Sequence, residues 1–247
     1  MIADKLIAHR GWQRRYPENT LLGIEKALGV GARHIEIDIQ LSADHIPVLC
    51  HDHILLRVCG REHNINHCKF DTLQSFSAYE PERLGDAFTG TPLSPLSDCV
   101  KLFMAHPETT LYVELKRQSI RTFGATAVLN SVLPLLKNIV DHCFLISFDI
   151  DVLQQALNRG WKTVAPVISD LEQLQQPPIQ QLSPSLIFCH VSLLGNDYNF
   201  SDLIFPSAIY EIDSYQQANL LIKRGATMVE TFAIGEIITE ESKDNNH

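Results

Sequence analysis

The chain has 247 residues, 45% hydrophobic and 20% charged, an ordinary globular composition that excludes both a disordered chain and a coiled coil. Its 29 acidic residues against 20 basic ones give a net charge of −9, so no basic field attracts nucleic acid. Any phosphate site must therefore come from a few converging side chains, and a length near 250 residues fits one α/β barrel spanning 1–247 as a single domain.

In chain order, Leu6–His9 is the first short apolar run. An amphipathic helix follows from about Asn19, the expected N-cap, to Val30, with Gly31 closing it. Arg33–Gln40 reads as a strand whose alternation puts Ile35, Ile37 and Ile39 on one face and Glu36, Asp38 and Gln40 on the other. Pro47–Cys50 is a short extra strand paired back onto it through the turn at 42–45. Residues 53–92 break the rhythm and read as an insertion rich in His, Gly, Pro and Asp.

Strand-like runs then recur at Thr110–Lys116, Cys143–Phe148, Thr163–Ile168, Ser185–Val191, Ala208–Ile212 and Thr227–Thr231. Helical patterns are expected between them at about 96–105, 120–138, 150–159, 170–176 and 214–224, and the polar tail from Glu240 to His247 is expected to fray. Without the Pro47–Cys50 strand, eight strands alternating with helices predict a (β/α)8 TIM barrel, with the insertion after the second barrel strand.

Six cysteines (50, 59, 68, 99, 143 and 189) are expected to be free thiols in a reducing cytoplasm. The first ten residues are interrupted by charge before an apolar signal segment can form, and no run reaches 18 apolar residues, so no transmembrane span is expected. The sequence is silent on oligomeric state.

The titratable residues gather at strand ends: His9 and Arg10 on the first, Glu36 and Asp38 on the second, His51 and Asp52 after the extra strand, and Glu114 and Lys116 on the next. Carboxyl ends of barrel strands converge on one mouth. Three carboxylates without a nearby thiolate suit a hard cation, Mg2+ or Ca2+. Arg10 and Lys116 suit a phosphate, and two histidines can divide acid and base roles near neutral pH. A buried His or Glu–Lys pair taken singly is more often structural; several strand ends delivering charge together are hard to explain as packing. The cluster Cys59, His63, His67 and Cys68 departs from zinc-ligand spacing at its adjacent His67–Cys68 pair, and Gly29-Val30-Gly31 follows a helix and lacks the third glycine of a dinucleotide loop.

The runs Ile7-Ala8-His9-Arg10-Gly11, Pro17-Glu18-Asn19-Thr20, Ile35-Glu36-Ile37-Asp38, His51-Asp52, Val113-Glu114-Leu115-Lys116 and Ser147-Phe148, with Asp44, Pro47-Val48, Arg57 and Pro95-Leu96, resemble glycerophosphodiester phosphodiesterases. The match is specific to about residue 150. The resemblance implies a TIM barrel that hydrolyses small-molecule glycerophosphodiesters to glycerol 3-phosphate and an alcohol, in glycerophospholipid degradation, with one divalent cation. It implies Glu36, Asp38 and Glu114 as metal ligands, His9 and His51 as the acid–base pair, and Arg10 and Lys116 as phosphate contacts; Glu18 and Asn19 look structural or supporting.

The sequence departs from the family pattern at Tyr210-Glu211-Ile212-Asp213, at Glu230-Thr231-Phe232 and at Trp12. These departures bear on the choice of glycerol and alcohol. Two other readings compete: a lysophospholipase D with an apolar lip from Trp12, Phe70, Phe76 and Phe88, and a barrel that binds phosphate ligands without turnover.

Overall fold

Period-two alternation of β-branched residues builds the sheet. A computed structural model describes residues 2–195, 198, 200 and 203–244, with nine strands among them. They are β1 (Leu6–Ala8), β2 (His34–Leu41), β3 (Pro47–Leu49), β4 (Thr110–Leu115), β5 (Cys143–Ser147), β6 (Val164–Ile168), β7 (Ile187–His190), β8 (Ser207–Ile212) and β9 (Met228–Thr231). All but β3 run parallel, and β1 pairs with both β2 and β9, which closes an eight-stranded barrel. β3 lies antiparallel against β2, pairing Gln40 with Val48.

The expected strands are all present, with ends shifted by a residue or two. Eight helices cover the barrel or link its strands: α1 (Leu21–Gly29), α2 (Leu96–Met104), α3 (Arg117–Phe123), α4 (Ala125–Leu136), α5 (Ile150–Asn158), α6 (Pro177–Leu182), α7 (Tyr215–Lys223) and α8 (Ile234–Asp244). Ile35, Ile37 and Ile39 of β2, with Leu111, Val113 and Leu115 of β4, join the apolar layer that also holds Phe103 of α2 and Val132 of α4. Ile7, Tyr112, Ile146, Val167, Phe188 and Met228 form a second cluster, with Tyr112 stacked on Phe144 at 5.1 Å. This apolar plug fills the barrel below the inward-facing charges, so those charges share a floor of low polarity.

Four local expectations need correction. Asn19 does not cap α1. Thr20 does, its Oγ1 accepting from the Gly23 amide at 3.1 Å, while Asn19 adopts a left-handed backbone (φ 53°) that frees its side chain for the barrel. The single helix expected at 120–138 is two helices: Gly124 (φ 83°) separates α3 from α4. The helix expected at 170–176 is a 3-10 turn at 171–175 capped by Asp170, and Pro177 then starts α6.

The frayed tail is the fourth correction. α8 continues to Asp244, because the buried Glu241 carboxylate accepts from the amides of Ile2 and Ala3 and ties the C-terminal helix to the N-terminus. Residues 245–247 lie outside the described residues. The end of α1 matches expectation: Gly31 (φ 93°) lets its own amide reach Leu28 and that of Ala32 reach Ala27, two bonds that satisfy the last carbonyls of the helix.

The insertion has more order than a loop. Three single-turn helices (Leu56–Cys59, Phe70–Leu73 and Pro81–Leu84) pack around Val58, Ile65, Leu73 and Phe76. Of the four residues weighed for zinc, Cys59 is buried in that core, Cys68 packs against it and His63 meets Phe76 edge-on, while His67 is exposed. Among the described residues, no single helix is long and apolar enough to cross a membrane.

Candidate active site

The β2–β4 register sets Asp38 directly beside Glu114, with Glu36 two residues earlier on the same inward face. Glu36 and Asp38 are 2% and 1% exposed and Glu114 9%, so charges this deep need partners. Asp38 has them: Lys116 Nζ lies 3.1 Å from Oδ1, Arg10 Nε lies 2.9 Å from Oδ2, and Asn19 Nδ2 donates to Oδ2 at 2.8 Å. Asn19 Oδ1 in turn accepts the Asp38 amide at 2.9 Å. Burial opposes ionisation of Asp38, yet Lys116 and Arg10 overcome it and hold the carboxyl well below its usual range.

Lys116 also contacts Glu114 Oε1 at 2.8 Å. Glu36 is less well supplied, since Oε2 accepts the Arg10 amide at 3.1 Å and the buried Oε1 has no hydrogen-bond partner. Burial raises the Glu36 carboxyl well above its usual range, and Asp38 and Glu230 add to the rise. Burial also raises Glu114, against the pull of Lys116. Ligand oxygens of Glu36, Asp38 and Glu114 all lie within 4.8 Å of one another. A divalent cation fits this trio: it gives the orphaned Glu36 oxygen a partner, and an all-oxygen set suits a hard ion.

The two histidines sit in different surroundings. His9 follows β1 directly and is 9% exposed, with Nε2 3.9 Å from Glu36 Oε2; burial and the neighbouring Arg10 hold its pKa well below the ordinary imidazole value. His51 follows β3, and its carbonyl accepts from Gln40 Nε2 at 3.0 Å. Its ring Nδ1 lies 2.6 Å from Asp52 Oδ1, a contact that orients the imidazole and leaves Nε2 available. Both rings line a cavity of about 280 Å3 that also receives Arg10, Glu36, Glu114 and Lys116. Six of the seven residues predicted for the site thus face one cavity; the seventh, Asp38, lies beneath it in contact with Arg10 and Lys116.

Behind them runs a chain of charges. Asp52 Oδ2 accepts from Arg57 Nε at 2.7 Å, and Arg57 grips Glu18 with two bonds of 2.7 and 2.8 Å. Glu18, 1% exposed, also accepts from Arg10 at 3.1 Å and from Gln13 at 2.8 Å. His51 is linked in this way to Arg10, and through Arg10 to Asp38.

Several cavity residues were not predicted as site members, among them Glu230, Glu211 and His190. Glu230 was visible only as a departure from the family pattern, although inward-facing Met228 two residues earlier would have placed it. His190, joined to Glu211 at 2.8 Å across β7 and β8, gave no local signal, and Glu211 was visible only within the changed segment at 210–213. Tyr210 and Glu211 do line the mouth, as expected of the changed segment. Of the residues weighed for an apolar lip, Phe76 is in the insertion core with Phe70 against it, Trp12 packs against the barrel layer, and Phe88 meets Tyr16 edge-on at 5.8 Å; none lines the cavity.

Comparison with known proteins agrees with this geometry. The glycerophosphoryl diester phosphodiesterase family model matches residues 9–162. Glycerophosphodiester phosphodiesterase 1 from Bos taurus is 26% identical over 162 residues, covering 66% of this chain and 48% of that protein. A glycerophosphodiester phosphodiesterase from Bacillus altitudinis is 32% identical over 125 residues, 49% of this chain and 48% of that one. The chain thus spans about half the length of these curated relatives. An Oleispira antarctica phosphodiesterase, solved with the product sn-glycerol-3-phosphate, superposes with a TM-score of 0.84 at 22% identity, covering 97% of this chain and 96% of that one. With its barrel shared and more than half its length matched by the family model, this chain belongs to the glycerophosphoryl diester phosphodiesterase family.

Proposed function

We propose that this protein hydrolyses small glycerophosphodiesters to glycerol 3-phosphate and an alcohol, with a divalent cation held by Glu36, Asp38 and Glu114. The observation that carries the reading is the convergence of two histidines, two phosphate-suited cations and a buried carboxylate trio around one small cavity. When bound, Mg2+ or Ca2+ supplies charge neutralisation for the phosphate oxygens and acidifies a nearby hydroxyl.

Arg10 and Lys116 orient the phosphate, Arg10 as a planar fork and Lys116 as a point charge. The substrate's own glycerol 2-hydroxyl attacks phosphorus, one imidazole takes its proton, and the other donates a proton to the departing alkoxide. Water then opens the cyclic phosphate with the histidine roles exchanged. Asp52 steadies His51 for either role. Six cysteines without a disulfide support a reducing cytoplasm as the site of action.

A lysophospholipid substrate is disfavoured because the residues that would form its apolar lip pack elsewhere. The test is glycerol 3-phosphate release from glycerophosphoethanolamine in Mg2+, Ca2+ and EDTA, beside an analogue lacking the 2-hydroxyl. Release that needs metal and the 2-hydroxyl supports the reading. Absence of product with every metal overturns the function, and turnover of the analogue overturns internal attack.

A further inference from the structure

Glu230 occupies the inward position of β9 beside Ile7 of β1, with Met228 inward below it and Val229 packed outward. It is 3% exposed, and its Oε1 has no hydrogen-bond partner. Ligand atoms of Glu230, Glu36 and His9 lie within 4.8 Å of one another, so Glu36 belongs to this group and to the trio with Asp38 and Glu114.

The local charges are unevenly compensated. Arg10 and Lys116 contact Asp38, and Lys116 contacts Glu114. Among the described residues, no lysine or arginine side chain forms an ion pair with Glu36 or Glu230, and each keeps a buried oxygen without a partner. Two facing carboxylates in an apolar-floored barrel are costly unless a cation joins them. Oxygens bound to one Ca2+ at 2.3–2.6 Å can stand up to about 5 Å apart, so the observed spacing lets Glu230 share an ion with Glu36, the residue common to both groups.

We propose that Glu230 is a fourth carboxylate of the cation centre, giving the ion an oxygen beyond those of Glu36, Asp38 and Glu114. The inference rests on the reading that this mouth takes a divalent cation. His9 stays outside the ligand set, free for proton transfer. A further anionic oxygen suits Ca2+, which takes six to eight oxygens, better than Mg2+, which keeps most of its waters.

The test is calorimetric titration of the metal-stripped full chain with Ca2+ and with Mg2+, for wild type, Glu230→Gln and the rim variant Glu211→Gln. The expected result is a rise of about tenfold or more in the Ca2+ Kd of Glu230→Gln, with a smaller change for Mg2+ and little change in Glu211→Gln. Thermal unfolding gives a second readout. Glu230→Gln should be at least as stable as wild type without metal, since a repulsion is removed, and should gain less from added Ca2+.

Equal Kd values in wild type and Glu230→Gln overturn this inference alone. Equal weakening in Glu211→Gln reduces the effect to a general field and also overturns it. A wild type that binds neither ion overturns both this inference and the metal reading. Glu230→Ala gives the same comparison if the Gln variant does not fold.

Discussion

Arg57 ties the insertion to the candidate site, and its replacement offers a quantitative test of that link. Arg57→Ala removes two bonds to Glu18 and one to Asp52, all between 2.7 and 2.8 Å. Glu18 is left almost fully buried with only Arg10 and Gln13 as side-chain donors. Hydrogen bonds to charged groups contribute about 1.5–3 kcal/mol each, and breaking a fully buried pair costs about 3–5 kcal/mol. Arg57 is 40% exposed, so solvent screening lowers the total, and a loss of about 2–4 kcal/mol is expected. At this chain length that corresponds to a fall in Tm of about 5–15 °C. Asp52 also loses the group that positions it, so His51 drifts and kcat drops by about tenfold to a hundredfold.

The assay is a double-mutant cycle of Arg57→Ala with Glu18→Gln, read by denaturant unfolding and by turnover. A coupling energy of about 1.5–3 kcal/mol is expected for the pair. Arg57→Lys keeps the charge but cannot make all three contacts, so it should lie between wild type and Arg57→Ala. A change under about 0.5 kcal/mol in Arg57→Ala, the size of an ordinary surface substitution, together with unchanged kcat, would refute the reasoning.

Gly11→Ala should destabilise by about 1–3 kcal/mol in thermal melts, because a Cβ there would stand 2.8 Å from the Gly23 carbonyl carbon on a backbone with φ 82°; a variant as stable as wild type would contradict this. Asn19→Ala should weaken Ca2+ binding by about tenfold or more in calorimetric titration, since Asn19 fixes Asp38 through both its amide and its carboxylate. Asp52→Asn tests a pH dependence. Burial opposes ionisation of Asp52, but bonds from His51 and Arg57 hold its pKa well below the unfolded value. A group shifted in that direction stabilises the fold above about pH 4 and loses the contribution as pH falls further. The stability gap between wild type and Asp52→Asn should therefore be full near pH 6 and shrink below pH 4; a gap that widens on acidification would contradict the assignment.

Much of the site was legible because barrel strands obey a period of two. Three isoleucines alternating with Glu36, Asp38 and Gln40 place those polar groups inward without knowledge of any partner strand. Motif order then brought His9, His51, Glu114 and Lys116 to the same end. What escaped depends on contacts distant in sequence. Glu241 reads as a polar tail residue until the chain returns to meet Ile2 and Ala3. Asn19 sits one residue before the true cap, and its side chain's partner, Asp38, lies 19 residues away in the sequence. His190 and Glu211 meet across two strands, a pairing that no local pattern encodes.

The most direct measurement of the central claim is a 31P NMR time course on a glycerophosphodiester with wild type, His9→Ala and His51→Ala, each first shown to bind Ca2+ or Mg2+. General acid–base catalysis contributes about 10^2–10^4 in rate. The wild type should convert the diester resonance to that of glycerol 3-phosphate, and each histidine variant should lose turnover by that factor while still binding metal. Undiminished conversion in either variant, or none in the metal-loaded wild type, would contradict the account.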